Sequence, residues 1–239
     1  MLSLRLAALN IDGVLLNDTF SPVIHHFIVS RGGTYSAELE RSIFSQPQHI
    51  AGRLLSAAVG GDMTGEEALA AYFEDRAAHL DRHPVTITPG THDLLLRLRG
   101  AGLLTVCYGG LRKDHFDHHL GRYADLFDGP GYVCTNDFRP GLREITEDVF
   151  ELRPAQALFV DDVARVADVA RELGAAFVGR PSDFVHSHQR ALMREAGVRH
   201  LISGLDALDD GLLHRIDLEM RSDTLWSAPL SAAGQGMYA

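Results

Sequence analysis

At 239 residues, with 46% apolar and 23% charged side chains, the chain has the composition of a soluble globular protein. That length accommodates one good core and a small satellite unit, and the formal net charge of −10 argues against nonspecific binding to nucleic acid or anionic membranes. No apolar run is long enough to span a bilayer, and the N-terminus meets Asn10 and Asp12 too early to provide a signal-peptide core. Cys107 and Cys134 lie in or at the end of apolar runs. Both read as core thiols rather than a disulfide framework, which makes the cytoplasm the expected location.

The first element is Leu6-Ala-Ala-Leu-Asn10-Ile-Asp12-Gly13, an apolar run ending in polar residues and a glycine. This is the pattern of a buried parallel strand that opens into a turn carrying chemistry at its carboxyl edge. Residues 17–34, with Pro22 and Gly32-Gly33, read as a linker. Helices are expected at 37–45 and 49–58, and a third opens at the capping box Thr64-Gly-Glu-Glu67 and runs to Leu80. With no strand pattern among them, these helices read as an insertion between the first and second strands.

The chain returns at residues 84–89. A helix then starts at Pro89-Gly-Thr91, with Leu94, Leu95, Leu96 and Leu98 on its apolar face, and ends at Gly100. Strand 103–107 closes at Tyr108-Gly109-Gly110 and is followed by a helix over 111–120, a short strand at 132–134 and a helix over 143–151. Strand 157–160 runs into Asp161-Asp162, and the helix at 164–173 stops at Gly174. A strand at 175–178, a polar helix at 186–196, a last strand at 200–202 and a helix at 205–219 follow. Residues 221–239 show no apolar periodicity and read as a tail, free or laid across a partner. Strands alternating with helices predict an α/β protein with a doubly wound parallel sheet, its core formed by residues 1–15 and 87–220 around an insertion at 16–86.

Three strand ends therefore bring polar groups to one edge: Asn10 and Asp12, Tyr108 to Gly110, and Asp161 with Asp162, while Arg139 arrives on a loop. Buried carboxylates need a partner, and a Mg2+ ion held by Asp12 and Asp162 is one answer; capping of the following helix is the other. The order of these parts resembles the haloacid dehalogenase superfamily with a helical cap, the subgroup of β-phosphoglucomutase-like phosphatases. The resemblance implies a Rossmann-like core, Mg2+ at Asn10, Asp12, Asp161 and Asp162, and Asp12 as general acid and base. It further implies phosphate contacts from Tyr108, Gly109, Gly110 and Arg139, with a phosphorylated or anionic metabolite as ligand and no nucleic acid or membrane. Two residues depart from the pattern. Asn10 stands where the family has its nucleophilic aspartate, and a carboxamide forms no aspartyl-phosphate and weakens metal binding. Tyr108 stands where a small hydroxyl meets the phosphate, its own hydroxyl donating from further out.

The leading expectation is thus a degenerate, phosphatase-like protein that binds its ligand with little or no turnover. One alternative is a Mg2+-dependent phosphomonoesterase whose nucleophile has been exchanged for Asn10, by design or with slow attack by water. Another is a non-hydrolytic enzyme using Asp12 as acid and base. Oligomeric state is open, with a tail-mediated homo-oligomer among the options. His115, His118 and His119, at helical spacing among Lys113, Asp114 and Asp117, read as a solvated face rather than a metal site. His25-His26 reads as surface at the entry to the insertion, and His186 and His188 show no partner in sequence.

Overall fold

The structure, a computed structural model, describes residues 3–226. Five parallel strands, β1 (Leu6–Asn10), β2 (Leu104–Gly109), β3 (Tyr132–Cys134), β4 (Ala157–Asp161) and β5 (Ala176–Gly179), stand in the order β3-β2-β1-β4-β5. This is the expected α/β architecture. The central strands are continuous apolar runs because helices cover both faces of the sheet. On one face Leu6, Ala8, Val106, Tyr108 and Phe159 join the inserted helices and the helices after β4. On the other face Ala7, Leu9, Cys107, Leu158 and Val160 pack against the helices that flank β2 and the last helix.

The insertion leaves and re-enters the core through two paired segments, with Asn17 N–H on Thr86 carbonyl and Thr88 N–H on Leu15 carbonyl, both at 2.9 Å. Between them run α1 (Ser21–Ser30), α2 (Ala37–Ile43), α3 (Gln48–Ala58) and α4 (Gly65–Leu80). The first of these corrects the expected linker. Pro22 sits in the opening turn, where its missing N–H is harmless, and Asp18 Oδ1 accepts from the N–H groups of Phe20 and Ser21. Helix α4 starts with both bonds of the expected capping box, Thr64 with Glu67.

The remaining helices are α5 (Thr91–Gly100), α6 (Lys113–Leu120), α7 (Ala164–Leu173), α8 (Gln189–Glu195) and α9 (Asp210–Arg221). Leu96 departs from the expected apolar face of α5 and is 48% exposed, because the helical period turns only Leu94, Leu95 and Leu98 inward. The stretch expected as a helix over 143–151 forms a wide π-type turn, Glu144–Val149. The expected last strand reduces to one bridge between Leu201 and Gly179. Cys107 is buried, but Cys134 is exposed at the end of the edge strand β3, so it is no core thiol. The expected tail is ordered at its start: Leu225 is buried and Trp226 donates to Ala175 carbonyl at 2.9 Å, whereas residues 227–239 lie outside the described part. Among the described residues no helix is long and apolar enough to cross a membrane.

Candidate functional site

Alternation along the strands aims Asn10 of β1, Tyr108 of β2 and Asp161 of β4 to one face at the carboxyl edge, with Asn10 and Tyr108 in direct register. Because β1 lies between β2 and β4, Tyr108 must cross it to meet Asp161, and its ring packs edge-on against Phe159 of β4 with centroids 6.0 Å apart. The Tyr108 hydroxyl donates to Asp161 Oδ2 at 2.5 Å, and Asp161 Oδ1 accepts from Val163 N–H at 2.8 Å. This corrects the expected role of Tyr108: its hydroxyl is engaged below the floor of the site, and the residue is 1% exposed. Burial pushes the Asp161 carboxyl up to about 6, against the bonds from Tyr108 and Val163 and the charge of Arg139. Burial also raises the Tyr108 hydroxyl well above its ordinary range, with the Asp161 carboxylate adding to the shift.

Asn10 is the hinge of the second set of contacts. Its side-chain nitrogen donates to the main-chain carbonyl of Asp12 at 2.7 Å and to Asp162 Oδ1 at 2.8 Å. Gly13 makes this approach feasible: it has φ +85, and a Cβ there would stand 2.1 Å from Asp162 Oδ2. Burial, then the neighbouring Asp161 and Asp18, raises the Asp162 carboxyl well above its usual range, while the bond from Asn10 opposes the shift. A Mg2+ ion needs oxygen lone pairs from this set. The Asp12 carbonyl and Asp162 Oδ1 both already accept from one amide group, whose nitrogen offers no lone pair. Turned over, the amide would set Oδ1 beside those two oxygens, a set that only a cation would hold together. In the observed orientation the amide N–H groups stand where the ion would, and no cluster of three His, Cys, Asp or Glu side chains suited to a metal exists among the described residues.

The Asp12 side chain is engaged elsewhere. Its Oδ1 lies 2.9 Å from His115 Nε2, with both side chains nearly buried. The expected solvated histidine face is corrected for this residue: His115 and His119 are partly buried, and only His118 of the three is exposed. His119 packs edge-on against His115, and burial, followed by the charges of His115 and His118, lowers its pKa.

Arg139 comes from the loop after β3. Its Nη2 reaches Ser45 Oγ at 3.4 Å, and a Cβ on Gly110 would stand 1.9 Å from its Nη1, so only glycine admits the guanidinium here. Its Nε is buried without a partner, and among the described residues no carboxylate forms an ion pair with it. Asn10, Asp12, Asp162, Gly110 and Arg139 together line one end of a cavity of about 130 Å³ between the sheet edge and the inserted helices. Tyr108, Gly109 and Asp161 do not line it.

Sequence reasoning missed what holds the insertion on the core. Glu40 of α2 is fully buried and accepts from Tyr35 hydroxyl at 2.7 Å, His188 N–H at 2.8 Å and Ser187 Oγ at 3.1 Å. Nearby, His25 stacks on His186 with ring centroids 4.3 Å apart, and Tyr35 stacks on His188. His25 is therefore not plain surface, and both histidines of the 186–188 segment have partners. Burial, then the charges of His186 and His26, lowers the His25 pKa. Arg41 adds an ion pair to Asp168 of α7 at 2.6 Å. Ala37 and Ile43, three residues to either side of Glu40, were the local hint that this helix face turns inward.

No family model and no curated protein matches the chain. Its fold matches solved haloacid-dehalogenase-type phosphatases and β-phosphoglucomutases. A β-phosphoglucomutase from Clostridium difficile aligns at TM-score 0.66 and 12% identity, covering 92% of this chain and 99% of that one. A HAD family hydrolase from Deinococcus radiodurans, solved with bound phosphate and sodium, aligns at TM-score 0.58 and 16% identity, over 90% and 97%. An aspartate-to-asparagine mutant of CbbY from Rhodobacter sphaeroides, in complex with xylulose-(1,5)bisphosphate, aligns at TM-score 0.60 and 14% identity, over 89% and 99%. At these identities the likeness is one of fold.

Proposed function

We propose that this chain is a degenerate member of the haloacid dehalogenase superfamily, a phosphatase-like protein that binds a phosphorylated or anionic ligand with little or no turnover. In this reading residues 16–86 are the cap, residues 1–15 and 87–220 the core, and Arg139 with the Gly110 turn receives the anion. The observation that carries it is the position of the Asn10 side-chain nitrogen, bonded to both Asp12 carbonyl and Asp162. A carboxamide there cannot attack phosphorus, and its N–H groups neutralise the oxygens a cation would otherwise hold. Arg139 remains as a buried-side cation with an unpartnered Nε, suited to bidentate contact with phosphate or carboxylate oxygens. The bound phosphate and the bisphosphate complex among fold neighbours support an anionic ligand.

The test pairs binding with turnover. Titration calorimetry with inorganic phosphate is expected to show binding that Arg139→Gln abolishes, while a panel of small phosphate esters with Mg2+ releases no phosphate. Release at enzymatic rates by the unaltered chain would overturn the reading. Release only after Asn10→Asp would mean that the site is complete apart from its nucleophile.

A second reading rests on the contact between Asp12 and His115. A carboxylate that orients an imidazole is an acid/base couple, able to hold or move a proton at His115 without any aspartyl-phosphate. It requires that any turnover found be lost in His115→Gln while phosphate affinity falls less than threefold.

A further inference from the structure

The cavity has two kinds of wall. Its sheet-edge end carries Arg139 beside Asn10 and Asp162, and the rest is built from Phe20, Ile24, Ile43, Leu55, Leu69 and Phe73 of the insertion. A polyhydroxylated ligand needs a polar partner for each hydroxyl, since a buried group left unpaired is penalised heavily. The polar side chains that the insertion brings here are each tied down by one bond. Ser45 Oγ accepts from Arg139, Gln46 bonds Ser42 carbonyl, and Gln48 reaches Gly110 carbonyl at 3.4 Å. Two wall atoms lack partners: the hydroxyl of Tyr72, which is 3% exposed, and Asp18 Oδ2. Size narrows the choice further. The cavity of about 130 Å³ is close to the roughly 150 Å³ of an apolar cavity that accepts one benzene ring.

On the reading that the site takes an anion, we propose that its ligand is a small amphiphile. A phosphate or carboxylate head meets Arg139, and the body under the insertion is a single aromatic ring or a chain of roughly four to six carbons. One polar group on that body meets Tyr72. Sugar phosphates are disfavoured because most of the wall is apolar and offers few partners for several hydroxyls at once. Tyr72 can donate to a ligand carbonyl or ether, or share a hydrogen bond with a ligand hydroxyl that in turn donates to Asp18.

Titration calorimetry on the full chain tests this with inorganic phosphate, phenyl phosphate, benzoate and ribose 5-phosphate. Phenyl phosphate is expected to bind about tenfold tighter than either ribose 5-phosphate or inorganic phosphate, a step of about 1.4 kcal/mol. Leu69→Asn is expected to reduce phenyl phosphate affinity about tenfold and Leu69→Met to retain it, which separates the apolar wall from general damage to the fold. Benzoate matching phenyl phosphate assigns a carboxylate head, and benzoate weaker by tenfold assigns a phosphate head; either supports the amphiphile. Ribose 5-phosphate binding as tightly as phenyl phosphate overturns it and leaves the anion reading standing. If none of the four probes binds, the anion reading itself falls.

Discussion

Asp161 and Glu40 are both carboxylates removed from water, one under the sheet edge and the other between the insertion and the core. Among the described residues neither forms an ion pair; each is held by hydroxyl and N–H donors. At the sheet edge the donors, Tyr108 hydroxyl and Val163 N–H, belong to the core itself. Between the two units the donors come from a segment, Ser187 and His188, that lies far along the chain from α2. The same physics, that a buried carboxylate needs hydrogen bonds, therefore ties β2 to β4 across β1 in one place and clasps the insertion to the core in the other.

That comparison can be broken at either end. The largest effect is expected at the clasp: Glu40→Ala leaves three part-buried donors unpaired and should lower stability by about 3 kcal/mol in urea unfolding, with Glu40→Gln losing about half as much. A loss below about 0.5 kcal/mol for Glu40→Ala would mean that the clasp holds nothing. At the sheet edge, Asn10→Asp sets a third carboxylate against the Asp12 carbonyl and Asp162, a change of about 2 kcal/mol at pH 7.5 without divalent ions. Added Mg2+ should then raise the melting temperature of the variant and leave that of the parent unmoved. Equal responses in both proteins would show that the parent site already takes the ion.

Tyr108→Phe removes one buried bond and leaves Asp161 Oδ2 unpaired, an expected loss of about 1.5 kcal/mol. The smallest signal is a pH dependence. Asp161 is held up to about 6 in the folded chain, whereas the unfolded chain releases that proton near 3.9. Between those values the folded state binds more protons, so this group's contribution to stability is present at low pH and is lost as pH rises through about 6. Asp161→Asn should therefore become more stable relative to the parent by about 1 kcal/mol between pH 4.5 and 6, and a flat difference over that range would contradict the assignment.

Much of the fold was legible because it is written locally. The apolar runs of β1 and β4 need cover on both faces, the capping box starts α4, and α7 spans the expected residues before its glycine stop. Helix α1 was hidden by Pro22 and the paired glycines, residues that also build loops, and the expected strand at 200–202 failed for want of a partner beyond one bridge. Within the site, the meeting of Asn10, Asp12 and Asp162 follows from strand ends that share one edge, and Arg139 joins them on its loop.

What local pattern could not carry was the choice of partner. His115 and Asp12 are 103 residues apart, Tyr108 and Asp161 53, and His188 and Glu40 148. Each of these side chains has a plausible solvated or core role on its own element, and only packing selects among them. The sequence by itself determined the alternation of strands and helices and which polar residues end the strands, because periodicity and capping act within a few turns of chain. The tertiary structure alone decided which donor satisfies which buried carboxylate, because that depends on strand order, on the reach of Tyr108 across β1 to Asp161 and on the docking of α2 against the segment before α8.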